Sequence, residues 1–177
     1  MAQIDDFKAE LSGGGYRASQ FRVTITPPAG IAIGLDVRNT SFLCKATEIP
    51  ELTIGEIELA YRGRKIMIAG DRDTTGDWTT TFYMDTNMQI INALQRWNNG
   101  INDFDTNLGV NSLSDYATDL TAELLDRDDT VLKTYIFKNA WPKTISGLSL
   151  DSASESAIAE FTCTWKYQNY SLSGVNF

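Results

Sequence analysis

Two short aspartate motifs are the strongest candidates for chemistry in this sequence. The motif Asp71-x-Asp73-x-Thr75 follows the apolar residues Ile66–Ala69. This order is typical of phosphatases in which one aspartate is the nucleophile and a second is a general acid beside Mg²⁺. That chemistry needs a central parallel strand that leads into a helix. Here the next segment is another alternating, strand-like one, so the context argues against a phosphatase.

Calcium binding is the second possibility, because Asp103-x-Asp105 and Asp71-x-Asp73 both resemble the start of an EF-hand loop. Such a loop needs glycine at its sixth position and glutamate at its twelfth. Counting from Asp103, these positions hold Leu108 and Ser114, and counting from Asp71 the twelfth position holds Phe82. We therefore predict no metal site, no cofactor and no catalytic residue.

The composition supports the same prediction. The 177 residues include no histidine, which removes the usual general base near neutral pH and the commonest metal ligand. The two cysteines, Cys44 and Cys163, form no Cys-x-x-Cys pair and are expected to be small buried thiols. The chain is long enough for one domain with a substantial core, and no apolar run is long enough to predict a membrane span or anchor. The acidic start, MAQIDDFKAE, does not resemble a secretory signal, so we expect folding in a cytoplasm.

The net charge of −8 is concentrated in one segment. Residues 100–130 contain eight acidic residues against Arg127 alone, so this stretch carries −7. It is either a set of solvated loops or a surface that repels nucleic acid or meets a basic partner. No basic patch is present that could hold a phosphate backbone, which disfavours sequence-specific nucleic-acid binding.

The first 15 residues read as an arm. Ile4, Phe7 and Leu11 follow helical spacing and form a short apolar stripe, and Gly13–Gly15 form a hinge. The alternative is a frayed terminus. Residues 16–177 are predicted to be a single domain with a long acidic insertion at 100–130, whose scattered leucines leave helix and strand both open.

The body is predicted to be mainly β. Alternation of apolar and polar residues indicates strands, and Arg62-Gly63 indicates a turn between two of them. A helix follows, capped by Asp85 or Thr86 and ended by Asn98-Asn99-Gly100. A loop is expected over 29–38, and residues 100–130 are read as a long connection with no assigned helix or strand. The predicted strands cover residues 20–26, 41–46, 56–61, 64–69, 77–84 and 157–167. The helix is expected to bury Ile90, Ile91, Leu94 and Trp97 against one edge of the sheets.

Three segments in order resemble the tail tube proteins of contractile-tailed phages of the T-even kind. They are FLCKATEIP at 42–50, RGRKIMIAGDR at 62–72 with Asp77-Trp78-Thr79, and WPKTISGLSLD at 141–151. The resemblance covers about two-thirds of the chain. It implies a β-sandwich or barrel-like fold with one flanking helix, whose inner strands join those of other copies into a ring-wide β-barrel.

The resemblance also implies a function and partners. Six copies would form a ring, and stacked rings would form a tube in the virion tail, assembled in the host cytoplasm, through which DNA passes during ejection. The partners would be further copies of the chain, a tail sheath protein, a tape-measure protein in the lumen, and baseplate and tail-terminator proteins. Polar and threonine-rich alternate positions, such as Asp77, Thr79 and Thr81, suit a strand face in a wet channel. We predict that inter-subunit or inter-ring contacts involve Ile4, Phe7, Leu11, Asp71, Arg72, Asp73, Asp77, Asp126 and Arg127.

Two other functions fit the same sequence features. One is a tube subunit of a type VI secretion or pyocin-like contractile particle. The other is a monomeric sugar-binding β-sandwich, because the chain has several tryptophans and tyrosines at strand positions. Most of these aromatic side chains alternate on the same side as core residues, so burial is the better interpretation: Tyr16, Trp78, Trp97, Trp141, Trp165 and Tyr167.

Overall fold

The computed structural model describes residues 4–11, 13–74, 76–151, 153, 155 and 157–174. Within these residues it contains nine strands and four helices. The strands are β1 (Phe21–Thr24), β2 (Cys44–Glu48), β3 (Thr53–Tyr61), β4 (Arg64–Asp73), β5 (Asp77–Tyr83), β6 (Thr118–Leu125), β7 (Val131–Ile145), β8 (Glu160–Lys166) and β9 (Asn169–Gly174). The helices are α1 (Ile4–Glu10), α2 (Val37–Leu43), α3 (Gln89–Ile101) and α4 (Leu113–Tyr116). None of the helices in the described ranges is long and apolar enough to cross a membrane.

Strand β7 joins two antiparallel sheets. Its first half pairs with β6 on one side and β9 on the other, and β6 pairs with β1. Its last residues pair with β8, which continues to β5 and β2. The change of sheet occurs at Asn139, which has a φ of 50°, and the Asn139 N–H donates to the Asp119 carboxylate at 3.0 Å. Asparagine tolerates this left-handed conformation better than most residues, so the bend has a local cause.

The core lies between the two sheets. Trp78 of β5 stacks on Phe137 of β7 with ring centroids 4.2 Å apart and planes 14° apart. Trp165 of β8 contacts Trp78 and also the edge of Trp97 from α3. Large aromatic rings thus fill the space that two facing sheets and one helix leave. The predicted β-sandwich with a flanking helix is confirmed.

Helix α3 closes the sandwich with one apolar face. Its buried residues are the four that were predicted, together with Ala93. The Trp97 indole N–H donates to the Tyr116 carbonyl at 2.7 Å, which ties α3 to α4. Met88 occupies the N-cap position of α3, and its side chain makes no capping hydrogen bond. The Asp85 carboxylate accepts a hydrogen bond from the Gln89 N–H at 3.1 Å and so satisfies one of the free N–H groups of the first turn.

Several boundaries predicted from the sequence are wrong. Residues 41–43, predicted as strand, form the last turn of α2, because Asp36 caps the helix through the N–H groups of Arg38 and Asn39. Phe42 therefore points to solvent and is 74% exposed. The last predicted strand is shorter than expected, since β8 begins at Glu160. Helix α3 continues through Gly100 to Ile101.

The acidic segment 100–130 is not one long connection. It contains α4 and also β6, which lies between β1 and β7 and buries Leu120, Ala122 and Leu125. The expectation of a connection is therefore wrong for residues 118–125. Leu120 and Leu124 are four residues apart, a spacing that also fits a helix, and this ambiguity concealed the strand. Strands β7 and β9 were likewise not predicted.

Stability prediction. The Thr80 hydroxyl is fully buried and accepts a hydrogen bond from the Trp165 indole N–H at 2.8 Å. Thr80→Val keeps the shape but leaves this donor unsatisfied, so the free energy of unfolding should fall by about 1–3 kcal/mol in urea denaturation. The control is Thr81→Val on the outer side of β5, where water can replace the lost contact and the change should stay below about 0.5 kcal/mol. Equal effects of the two substitutions would contradict this account.

Candidate assembly surfaces

Strands β3 and β4 form a hairpin that lies apart from the sandwich. They pair with each other as a separate two-stranded sheet. The turn between them is Arg62-Gly63, with φ of 48° and 80°, the left-handed values that a tight two-residue hairpin turn requires. Every residue of β3 and all but Gly70 of β4 are exposed. A two-stranded ribbon without a covering layer is marginally stable in water, so this hairpin is expected to need a partner.

The hairpin has one apolar face. Ile57 is paired with Ile68, and Leu59 with Ile66, so the four side chains share one side of the ribbon. Each is between 46% and 49% exposed. The opposite side carries Glu58, Lys65 and Met67, and the Lys65 ammonium lies 2.8 Å from the Glu58 carboxylate. A contiguous exposed apolar face of this kind is typical of a protein–protein contact.

The base of the hairpin brings together three of the predicted contact residues. Asp73 and Asp77 line a cleft of about 430 Å³ with Tyr167. Burial raises the pKa of Tyr167, followed in size by the interaction with neighbouring Tyr170 and then by the negative charges of Asp77 and Asp73. Arg72 lines a second cleft with Tyr170, Leu52 and Leu172. Asp71 precedes them on β4 and is not among the residues that line either cleft.

The remaining predicted residues lie around the arm. Helix α1 has no buried residue, and Ile4, Phe7 and Leu11 are all exposed. The arm prediction also covers residues 1–3 and 12, which lie outside the described residues. Asp126 and Arg127 form part of the β6–β7 turn. Gly14 has a φ of 79°, and a Cβ added there would lie 2.7 Å from the Arg127 guanidinium, so the base of the arm lies against this turn.

The outer face of β5 and β8 is polar. Thr79 is paired with Thr164, and Thr81 with Thr162, whose hydroxyls are 3.3 Å apart. The charged residues around these threonines form ion pairs: Lys45 with Glu160 at 2.6 Å, and Asp77 with Lys143 at 2.7 Å and Lys166 at 3.1 Å. Opposite charges therefore lie close together on this face, which weakens the positive field that a polyanion would meet.

The two aspartate motifs have structural explanations. Asp71 and Asp73 lie on an antiparallel hairpin strand, and Thr75 is outside the described residues. Asp103 organises its own loop, because its carboxylate accepts from the N–H groups of Asp105 and Thr106 and from the Asn99 amide. These hydrogen bonds, with that of the Thr106 N–H the largest, lower the pKa of Asp103 to about 2. In the described part of the chain, no three His, Cys, Asp or Glu residues group as a metal site would require.

The sequence prediction missed the apolar face of the hairpin as a site. The sequence does contain a sign of this face. Ile66, Met67 and Ile68 are apolar at consecutive positions, and side chains that alternate along a strand cannot all face one core. Most of the aromatic residues considered for sugar binding are buried, which is against a sugar-binding surface: Trp78, Trp97, Trp165 and Tyr167.

The fold and these surfaces define a structural subunit, since the exposed apolar faces suit contacts between proteins. The sequence model of the phage tail tube protein family matches residues 16–173. The tail tube protein of Serratia phage KSP90 is 31% identical over 169 residues, which cover 94% of this chain and 95% of that protein. Tail tube protein gp19 of Enterobacteria phage T4 is 28% identical over 163 residues, covering 91% and 94%. The chain belongs to the phage tail tube protein family, which is structural, and it is a component of the virion tail.

Solved structures share the fold. The sheath-tube complex of the PVC extracellular contractile injection system in its extended state has a chain that matches with a TM-score of 0.67 at 16% identity, covering 99% of this chain and 100% of that one. A chain of the anti-feeding prophage tube-terminating cap matches with a TM-score of 0.66 at 17% identity, covering 91% and 92%. At these identities the likeness concerns the fold.

Electrostatic prediction. The hydrogen bond from Lys143, with a second from Lys166, holds the pKa of Asp77 below its ordinary value. A lowered pKa means that the ionised carboxylate stabilises the folded chain above its ordinary pKa, and this stabilisation is lost as the pH falls through the folded value. Between about pH 5 and pH 2 the wild type should therefore lose more stability than Asp77→Asn, by less than about 1 kcal/mol because the pair is partly exposed. Urea denaturation at several pH values measures this.

The control is Lys143→Met, which removes the larger of the two contacts. Lys143→Met should lose less stability than the wild type between about pH 5 and pH 2. A Lys143→Met, Asp77→Asn double variant should lose about as much stability over this range as Asp77→Asn alone. Identical pH profiles for all these chains would refute the assignment.

Proposed function

We propose that this chain assembles with copies of itself into hexameric rings, that the rings stack into the tail tube, and that the tube conducts DNA during ejection. The observation that carries the proposal is the apolar face of the β3–β4 hairpin, which has four aliphatic side chains about half exposed. Fully burying such a side chain contributes about 1.5–3 kcal/mol, so covering the exposed halves of four contributes several kcal/mol per subunit. The occupant of this face is a second copy of the chain.

Ring closure uses the edges of the second sheet. That sheet runs from the last residues of β7 through β8 and β5 to β2. One open edge of this sheet is β2, the last strand in the order. The other is the end of β7 from Trp141 to Ile145, because β6 pairs with β7 only as far as Ala140. Backbone groups at these two edges can pair with those of neighbouring copies, which would remove the open edges that favour uncontrolled aggregation.

The threonine face of β5 and β8 lines the bore in this arrangement. Each of its three lysines lies close to a carboxylate, with Lys143 and Lys166 sharing Asp77, and the chain as a whole is acidic. Both properties favour passage of DNA without adhesion, because binding to the phosphate backbone depends on unpaired lysine and arginine side chains.

The same proposal covers the partners and the predicted contacts. The arm, the hairpin base at Asp71–Asp73 and Asp77, and the turn at Asp126-Arg127 lie at contacts between subunits or rings. A tail sheath protein surrounds the tube, a tape-measure protein fills it before ejection, and baseplate and terminator proteins meet its ends. The structures that share this fold include chains from a sheath-tube complex, a sheath/tube terminator and a baseplate, which supports this set. Assembly takes place in the host cytoplasm, and the chain performs no catalysis.

Assembly prediction. Ile68→Asp places a charge on the apolar face of the hairpin, where burial in an interface would desolvate it. We expect the critical concentration for tube formation to rise at least about tenfold, as a loss of 1.4 kcal/mol per subunit would produce. Negative-stain microscopy and sedimentation measure the tubes formed. The matched control is Met67→Asp, which is 51% exposed against 48% for Ile68 but lies on the opposite side of the ribbon.

Both substitutions are at exposed positions, so circular dichroism should show folded chains in each case. Normal tubes from Ile68→Asp would overturn the role of the apolar face. A wild-type chain that stays monomeric at high concentration would overturn the proposal that it assembles by itself.

Lumen prediction. Thr164→Cys should react in assembled tubes with a small maleimide that can enter the bore, and not with a polymer-linked maleimide that is too large to enter. Unassembled chains should react with both reagents. The native thiols interfere little, because Cys163 is buried and burial raises the pKa of Cys44 to about 12. Reaction of tubes with both reagents would place this face outside, and reaction with neither would place it in an interface.

A further inference from the structure

An open groove lies between α2 and β1, outside the hairpin and the polar face. Its volume is about 690 Å³, and apolar side chains form much of its lining: Phe21, Val37, Phe42 and Leu125. Phe42 is 74% exposed, an unusual position for a phenylalanine ring that could otherwise pack into the core. The apolar lining and the exposed ring together indicate a surface that an apolar segment can cover.

The rim of the groove carries two arginines. The Arg38 guanidinium lies 5.7 Å from the centre of the Phe42 ring, and Arg22 contacts the Glu123 carboxylate at 3.4 Å. Asp129 is the acidic residue among those that line the groove. Because Arg22 is already paired with Glu123, Arg38 beside the exposed Phe42 ring is the cation of the rim that an acidic partner can meet.

Helix α1 has the complementary features. Its apolar stripe consists of Ile4 and Phe7, which are 74% and 67% exposed, and continues to Leu11 directly after the helix. Its polar residues include Asp5, Asp6 and Glu10 against Lys8. The helix has seven residues and is therefore about 10 Å long. An acidic helix with an apolar stripe fits an apolar groove that has Arg38 at its rim.

We propose that α1 of one copy lies in the α2–β1 groove of a neighbouring copy, with its apolar stripe on Phe42 and Val37 and its acidic residues toward Arg38. This inference rests on the proposed self-assembly, which supplies the neighbouring copy. Within a single chain both surfaces stay exposed, since α1 has no buried residue and the groove is open. Gly14 and Gly15, with φ of 79° and 70°, let the arm leave the domain beside Arg127.

The test is disulfide trapping between two different chains. Phe7→Cys places a thiol on the apolar stripe, and Ser41→Cys places one in the groove. Tubes assembled from an equal mixture of the two single variants and then mildly oxidised should yield a linked dimer containing one of each, with a yield well above that from unassembled chains. The matched control is Ala9→Cys, which lies on the opposite side of α1 and should give little of this product with Ser41→Cys.

The outcomes distinguish whether the groove is occupied by the arm of a neighbouring copy or by the arm of the same chain. Normal tubes without a Phe7–Ser41 link would overturn this inference and leave the proposed function intact. Linking within one chain, when both substitutions are on the same copy in a large excess of wild type, would show that the arm covers its own groove and would also overturn it. Failure of the wild type to form tubes would instead count against the proposed function.

Charge reversal gives an independent readout. Arg38→Glu and Glu10→Arg should each raise the critical concentration for assembly about threefold, and the two together should restore it toward the wild-type value. Both positions are exposed, so the fold should not change. A double variant that assembles less readily than either single variant would contradict the pairing of these two regions.

Discussion

The stacking of Trp78 on Phe137 is the contact on which the rest of the structure depends. It joins β5 of one sheet to β7 of the other, and the core aromatic residues pack around it. Because side chains alternate along a strand, burying Trp78, Thr80 and Phe82 forces the threonines between them to the outer face. The polar face is therefore a direct consequence of the core. Strand β4 ends just before β5 begins, so the same packing also determines where the hairpin leaves the sandwich.

The sandwich buries its apolar side chains, whereas the hairpin leaves its apolar side chains exposed. The sandwich buries its aromatic residues within one chain, whereas the hairpin leaves four aliphatic side chains on one side of a two-stranded ribbon. This leaves the single chain folded but incomplete. A subunit of this kind can gain free energy when copies meet, because the apolar area that it exposes alone becomes buried. The arm and the groove beside Phe42 likewise expose apolar side chains, in smaller number.

Charge is distributed separately from these apolar surfaces. The acidic residues of segment 100–130 lie mostly in loops and turns, although β6 within the segment is part of the core. The threonine face pairs its lysines with carboxylates instead of carrying an acidic excess of its own. Net charge alone would suggest a uniformly acidic surface. The structure instead shows a face on which Lys45, Lys143 and Lys166 each lie close to a carboxylate, which weakens the positive field around them.

The sequence by itself determined the β-rich class, the buried face of α3, the turn at Arg62-Gly63 and the absence of a histidine-based site, since each follows from local periodicity or composition. It also predicted contacts between subunits or rings at Asp73 and Asp77; the structure brings both residues to the hairpin base, and their contact role stays a prediction. Tertiary structure decided the rest. The apolar run at Ile66–Ile68 predicts a buried strand, but in the structure its side chains are exposed. The spacing around Leu120 fits a helix and a strand equally well, and only the pairing of β6 with β1 and β7 decides for a strand. Local pattern specifies which side of an element is apolar, but only packing decides whether that side is covered by the same chain or left for another.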